Sequence, residues 1–257
     1  MRIRHAIVLS AALALELAPG ARAQGEYEIQ VYASETMDVG RTIVELHSNY
    51  TARGETRSQN RVFPSDHALH ETLEVTHGFT PWFETGFYLF SSVQPGAGWE
   101  WVGDNVRPRV RVPEAWQWPV GLSLSMEIGY QRRAFSEDTW SMELRPIIDK
   151  EFGPFYLSLN PVLEKSLHGD HAGEAPVFAP AAKACVEVIP QMALGFEYYS
   201  SLGRITHFDS WHQQEHQLFP VVDLFLHPDL EFNFGVGFGL TDATDDLVWK
   251  LILGWRF

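Results

Sequence analysis

Cysteine is almost missing from this chain: Cys185 stands alone among 257 residues. A single thiol makes no internal disulfide and no cysteine-based metal cluster, so neither can staple the fold. Positive charge is scarce as well, with 19 Lys and Arg against 33 Asp and Glu. So acidic a surface repels a phosphate backbone, which excludes nucleic acid as a partner. Long apolar runs are also absent. Beyond the first residues no stretch reaches the ~18 uninterrupted apolar positions of a membrane-crossing helix.

The N-terminus holds the one apolar run. Arg2 and Arg4 precede Ala6 to Leu17, which only Ser10 and Glu16 interrupt, and Ala21-Arg22-Ala23 follows as a small-residue cleavage site. Residues 1–23 therefore read as an export signal, too short and wrongly flanked for a transmembrane helix. No cysteine follows the cleavage site, so a lipid anchor on the mature N-terminus is excluded. Without Arg2, Arg4, Arg22 and Glu16, 16 basic side chains face 32 acidic ones.

What the chain has in quantity is alternation. In the last segment Leu247, Trp249, Leu251, Leu253, Trp255 and Phe257 share one face, and Val248, Lys250, Ile252, Gly254 and Arg256 the other. Successive side chains of a strand point to opposite faces, so one face suits hydrocarbon and the other a polar interior. Glu231 to Leu240, Val120 to Gln131, Trp140 to Asp149 and Phe155 to Glu164 repeat the pattern, with their charges on the polar face. Weaker copies lie at Thr42 to Thr51, Leu69 to Thr76, Phe83 to Phe90, Val106 to Val112, Ala182 to Val188, Leu194 to Tyr199 and Leu218 to His227. The total is about twelve strands, most of a length that crosses a bilayer when tilted.

The connections alternate between long and short when counted back from Phe257, as expected of a barrel with tight periplasmic turns and longer extracellular loops. Ser91 to Asp104 reads as one of the long ones. A soluble sandwich would bury the apolar faces instead, but the export signal and the aromatics near strand ends, such as Tyr50, Trp82, Tyr130, Trp140 and Trp255, favour membrane. The expected fold is all-β, a closed antiparallel transmembrane barrel over residues 41–257 in the outer membrane. Residues 24–40 precede it as a periplasmic extension or a partial plug. Pro108, Pro146, Pro161, Pro180 and Pro220 conflict locally with this reading, since each removes a ladder donor, and their similar placement predicts a common bend at bulges.

Leu253, Trp255 and Phe257 close a run that resembles the C-terminal signal read by the barrel-assembly machinery of the outer membrane. The whole mature chain is also similar to putative outer-membrane transporters grouped with phenol meta-pathway degradation proteins. Glu28-Ile29-Gln30-Val31-Tyr32, Val44-Glu45-Leu46-His47, His70-Glu71-Thr72-Leu73-Glu74, Thr80-Pro81-Trp82-Phe83-Glu84-Thr85-Gly86 and Leu251 to Phe257 carry that likeness. It implies a roughly twelve-stranded barrel and an uptake role, without catalytic residues.

Candidate lumen-lining residues are Arg107, Arg109, Arg111, Glu127, Glu143, Arg145, Glu164, Lys183, Glu187, Glu197, Asp223, Lys250 and Arg256. Opposed acidic and basic rungs would form a charged constriction selecting small solutes; the alternative is a salt-bridged, filled interior. Inward Tyr88, Phe90, Tyr156, Tyr199, Phe219 and Phe225 suit a hydrophobic or aromatic solute. Loop residues His168, Asp170 and His171, with His207, Asp209, His212 and His216, are metal-ligand types, but loop imidazoles are more often solvated. A lipid-modifying enzyme would need a Ser and a His together on the outer face. Ser48 and His77 are the nearest outward pair, toward opposite rims. No enzyme, metal or cofactor is expected; the partners are outer-membrane lipids, the assembly machinery and an unidentified solute.

Overall fold

The computed structural model describes residues 27–257; the export signal expected over residues 1–23 lies outside them. Twelve crossings form one closed antiparallel barrel. β1 (Thr42–Arg53), β2 (Leu69–Thr80), β3 (Phe83–Gln94), β4 (Gly98–Arg111), β5 (Gly121–Gln131) and β6 (Asp138–Phe152) are the first six. The seventh crossing is split into β7 (Phe155–Asn160) and β8 (Leu163–Gly169), and the eighth into β9 (Val177–Phe178) and β10 (Ala181–Ile189). β11 (Met192–Ser201) is prolonged by the short piece β12 (Gly203–Arg204), against which β13 (His207–Phe208) turns back antiparallel. β14 (Glu215–Leu224), β15 (Leu230–Gly239) and β16 (Leu247–Arg256) complete the wall.

Closure comes from β1 pairing with β16, from Ile43 opposite Arg256 to Arg53 opposite Leu247. An open edge in hydrocarbon would leave a row of N–H and C=O groups without partners, so a sheet crossing lipid has to close on itself. The faces divide as alternation requires. Glu45, His47, Asn49 and Thr51 of β1 are buried while Leu46 and Tyr50 are exposed; Lys250 and Ile252 of β16 are buried while Trp249, Leu253 and Trp255 are exposed. The exposed face is the apolar one, which is the inverse of a soluble sandwich.

Rim aromatics gather in two girdles, the level at which amphipathic rings favour a membrane interface. Trp101, Tyr130 and Trp140 follow one another at 6.0 and 5.6 Å between centroids on the loop side, and Trp82, Phe83, Phe152 and Phe155 pair on the turn side. Residues 81–82, 153–154 and 190–191 make tight connections on the turn side, whereas residues 54–68 and 205–214 make long ones on the loop side.

Three local readings change. The long loop expected at Ser91 to Asp104 is mostly strand, leaving only residues 95–97 between β3 and β4. A bulge shifts the register at Phe90 and Ser91, so that neighbouring Val102 and Gly103 are both buried and the alternation falls out of phase. Gly103 is needed there, because a Cβ would sit 1.8 Å from the Tyr130 carbonyl oxygen. β14 ends at Leu224, which puts Phe225 in the turn, 51% exposed instead of facing inward. The prolines share no single bend. Pro161 and Pro180 stand at the breaks that split the seventh and eighth crossings, Pro108 and Pro220 interrupt one ladder each, and Pro146 keeps its partner Leu124.

The stretch before β1 is placed differently from an extension outside the wall. Residues 27–34 lie in the lumen, with Tyr27, Glu28, Ile29, Val31 and Tyr32 buried. The chain leaves the barrel at the turn-side rim, where Gly40 takes a positive φ of 78° and its N–H donates to the Gly78 carbonyl at 2.8 Å. Gly78 admits this close pass, since a Cβ would lie 2.3 Å from the Met37 carbonyl oxygen.

A closed barrel resists detergent unfolding until it is heated. Purified protein is expected to migrate faster on a denaturing gel unheated than boiled; one unchanged band would contradict closure.

Candidate lumen site

Strand register decides which charges meet. β3 against β4 sets Glu84 beside Arg109 and Gly86 beside Arg107, and the missing side chain at Gly86 leaves room for the guanidinium. Arg107 Nη2 lies 2.6 Å from Glu74 Oε1 and its Nη1 lies 3.6 Å from Glu84, while Arg109 Nη2 lies 2.6 Å from Glu84. Arg145 grips Glu143 with Nε and Nη2 at 2.6 and 2.9 Å, a two-pronged contact that fixes both planes. Across the lumen Lys183 reaches Glu197 at 3.1 Å and Asp223 at 2.9 Å, and Lys250 also bonds Glu197. Burying ions costs several kcal/mol each unless geometry and further hydrogen bonds compensate. Here most wall cations meet a wall carboxylate directly.

The other anticipated residues sit at the margins. Arg256 pairs with Glu231 near the seam, and Arg111 with Glu114 at the turn-side rim. Glu187 is exposed near that same rim, Glu127 accepts from Asn105, and Glu164 lines a loop-side cavity. Arg41 donates to Asp229 at 2.5 Å and, through Nε, to the Phe257 carbonyl at 3.2 Å, clasping the exit of the lumen segment to the end of the chain. The Arg41 hydrogen bond holds the Asp229 carboxyl below its ordinary range.

Unlike the wall charges, the partners of the lumen segment were not visible in the sequence. Wall donors meet its carbonyls: Thr72 bonds Tyr27, Lys250 bonds Ile29, Ser158 and Asn160 bond Tyr32, and Arg109 bonds Ala33. Wall acceptors meet its N–H groups: Asn160 takes that of Tyr32 at 2.8 Å, Asp149 that of Ser34 at 2.7 Å and Glu84 that of Met37 at 2.5 Å. The Tyr32 ring stands between guanidiniums, with Arg107 4.6 Å and Arg145 4.7 Å from its centroid, and its hydroxyl meets that of Tyr88 at 3.1 Å. Tyr27 to Tyr32 alternates in the sequence as a strand would, but a strand-like pattern does not say which surface it will lie against.

Above the segment, on the loop side, lies a cavity of about 620 Å³. Twelve carboxylates, among them Glu28, Glu127, Glu143 and Glu164, line it against three cations, Arg57, Arg145 and Lys165. Gly235 and Gly237 of β15 make room for neighbouring side chains: the space beside Gly237 holds the Phe219 ring and that beside Gly235 the Val221 and Lys250 side chains.

Residues considered for other chemistry stay apart. Ser48 donates to Glu71 at 2.8 Å, whereas His77 meets Thr42 at 2.8 Å, so they occupy separate outer patches. Among the loop histidines, His171 contacts Asp138, His168 contacts Thr139, His212 lies near Asp242 and His216 meets Tyr198.

With closure and lumen defined, the chain has the fold of an outer-membrane β-barrel. Among solved structures it is similar to the NanC porin, with a TM-score of 0.56 at 9% identity over 83% of this chain and 100% of that one. It is likewise similar to the KdgM porin, with a TM-score of 0.53 at 9% identity over 84% of this chain and 99% of that one. At such identity the likeness is one of fold. No family model matches the chain, and no curated protein does.

Arg107→Met removes the guanidinium that Glu74 meets at 2.6 Å and leaves that buried carboxylate without its cation, while Glu84 keeps Arg109. A loss of about 3–5 kcal/mol in stability is expected, read as a lower temperature for the heat-dependent gel shift.

Proposed function

We propose that this protein is an outer-membrane passage for small neutral or cationic molecules, closed by its own residues 27–37 and open when that segment leaves the lumen. One observation carries the reading: the wall cations Arg107, Arg109, Arg145, Lys183 and Lys250 hold wall carboxylates independently of the segment. Its departure would strip no charge of its counter-ion. Water would replace the nine hydrogen bonds that wall side chains make to its backbone, at small net cost per bond. Ile29 and Val31 also pack on Ala181, Tyr199, Phe219 and Val221, and Tyr27 on Tyr88 and Phe90; these apolar contacts are the part of the closure that water does not replace, and they hold the segment in place.

The acidic cavity supports the choice of solute. Carboxylates lining a cleft raise the local concentration of cations and repel anions. The setting of Tyr32 between Arg107 and Arg145 supports room for an aromatic ring in the corridor, in keeping with the likeness of the sequence motifs to transporters grouped with phenol degradation. The KdgM porin has a solved complex with oligogalacturonate; the balance of charge in the present vestibule disfavours such a polyanion.

A second reading, a static barrel with a filled interior, is favoured by the number of wall groups bonded to the segment. Planar-bilayer conductance separates the two. The full mature chain is expected to conduct weakly or intermittently, and a variant lacking residues 24–36 to conduct steadily with several-fold larger steps. If neither passes current or solute, the interior is static. In the open variant, Glu127→Gln with Glu164→Gln is expected to move the reversal potential toward lower cation preference.

A further inference from the structure

We propose that Glu45, His47 and Glu74 form a binding site for one divalent first-row transition ion of the zinc type, set in the wall between β1 and β2. The site shares Glu74 with the Arg107 ion pair but uses its other oxygen, and it stands whether or not the barrel conducts.

Glu45 and Glu74 are direct partners in the β1–β2 register, and both are buried. Like charges directly opposed across an antiparallel pair destabilise it, and burial removes the water that would screen them. The nearest cation serves only one of them. Arg107 and the Thr76 hydroxyl both meet Oε1 of Glu74, at 2.6 Å each, and leave its Oε2 without a hydrogen-bond partner. No described residue supplies Glu45 with a salt bridge or a hydrogen bond.

His47 supplies the independent sign. It is fully buried, and neither ring nitrogen has a hydrogen-bond partner. A buried imidazole lacking partners for both nitrogens carries a desolvation cost that a structure normally removes. Its Nε2 lies 3.4 Å from the free Oε2 of Glu74. Two ligands about 2.1 Å from a tetrahedral ion are about 3.4 Å apart, so this edge has the length that coordination requires.

Ligand atoms of all three residues lie within 4.8 Å of one another. Glu45 leans over Gly254, its partner across the seam, where a Cβ would lie 2.8 Å from the Glu45 Cγ, and rotation about its own side-chain bonds brings its carboxylate into the shell. Arg107 and Thr76 orient Glu74 from behind, as outer partners of metal-binding carboxylates do. One imidazole and two carboxylates form a mixed nitrogen and oxygen set, suited to zinc, manganese or ferrous iron rather than to calcium or copper(I). The ion would answer the facing carboxylates with charge and His47 with a bond.

The test uses the purified full mature protein in detergent, stripped with chelator and then dialysed against Zn²⁺ or Co²⁺ alone. One ion per chain is expected to remain after dialysis, with the Co²⁺ form showing the visible bands of a low-symmetry site. Zn²⁺ is expected to raise the temperature of the heat-dependent gel shift. Glu45→Gln and His47→Gln should each lose the retained ion and the thermal shift, and the control His212→Gln in an exposed loop should keep both. No retained ion in the wild-type protein, or equal retention in the Glu45 and His47 variants, overturns the site. If a variant fails to show the gel shift at all, the wild-type Co²⁺ spectrum decides: absence of visible bands overturns the proposal.

Discussion

A wall one side chain thick separates hydrocarbon from ionised groups, and everything else in this structure follows from keeping those two environments apart. The constraint is local, since any residue that slips by one position exchanges the lipid for the lumen. It is also global, since a sheet with a free edge would bring unpaired backbone into the membrane. The β1–β16 seam satisfies the second demand and strict alternation the first. Departures occur where glycine or proline takes the strain: the bulge at Gly103, and the breaks at Pro161 and Pro180.

Inside that wall, charge acts as packing material. Arginine and lysine stems fill much of the lumen while their heads are neutralised by carboxylates on the same strand, as in Arg145 with Glu143, or one or more strands away, as in Arg109 with Glu84 and Arg107 with Glu74, so the interior is dense yet largely polar. Such an interior can hold a polypeptide by its backbone. Donors and acceptors meet residues 27–37 chiefly through main-chain groups, and Tyr32 is the side chain that the arginines single out. Direct acid-to-acid register recurs at Glu45 with Glu74, at Glu127 with Glu143 and at Glu143 with Glu164, and each case lies on the polar face. The acidity of the mature chain is therefore partly internal, a different matter from a charged outer surface.

Much of the wall was legible because its code has a period of two and its two solvents differ so strongly. Leu253, Trp255 and Phe257 announced the last strand, and the inward charges of β5, β6 and β16 fall where alternation puts them. The stretch from Ser91 to Asp104 was misread because a bulge reverses phase, and a reversed phase looks like the end of a strand. The lumen segment was harder still. Its hydrogen bonds run through backbone atoms, which every sequence has, to Asn160, Asp149 and Lys250, more than a hundred residues away. Periodicity reports what a residue faces, not which distant strand supplies the partner.

The clasp where Arg41 reaches both Asp229 and the Phe257 carbonyl ties together the point at which the chain enters the wall and the point at which it ends. Since the chain ahead of it runs upward through the lumen, the two ends of the described polypeptide finish in different compartments of the barrel. A tag fused after Phe257 hangs free at the turn-side mouth, whereas Tyr27 lies at the far side of the lumen, in the lining of the vestibule. For this topology the clasp sits beside the mouth through which the lumen segment passes, so the segment can be withdrawn while the β1–β16 seam keeps the ring shut.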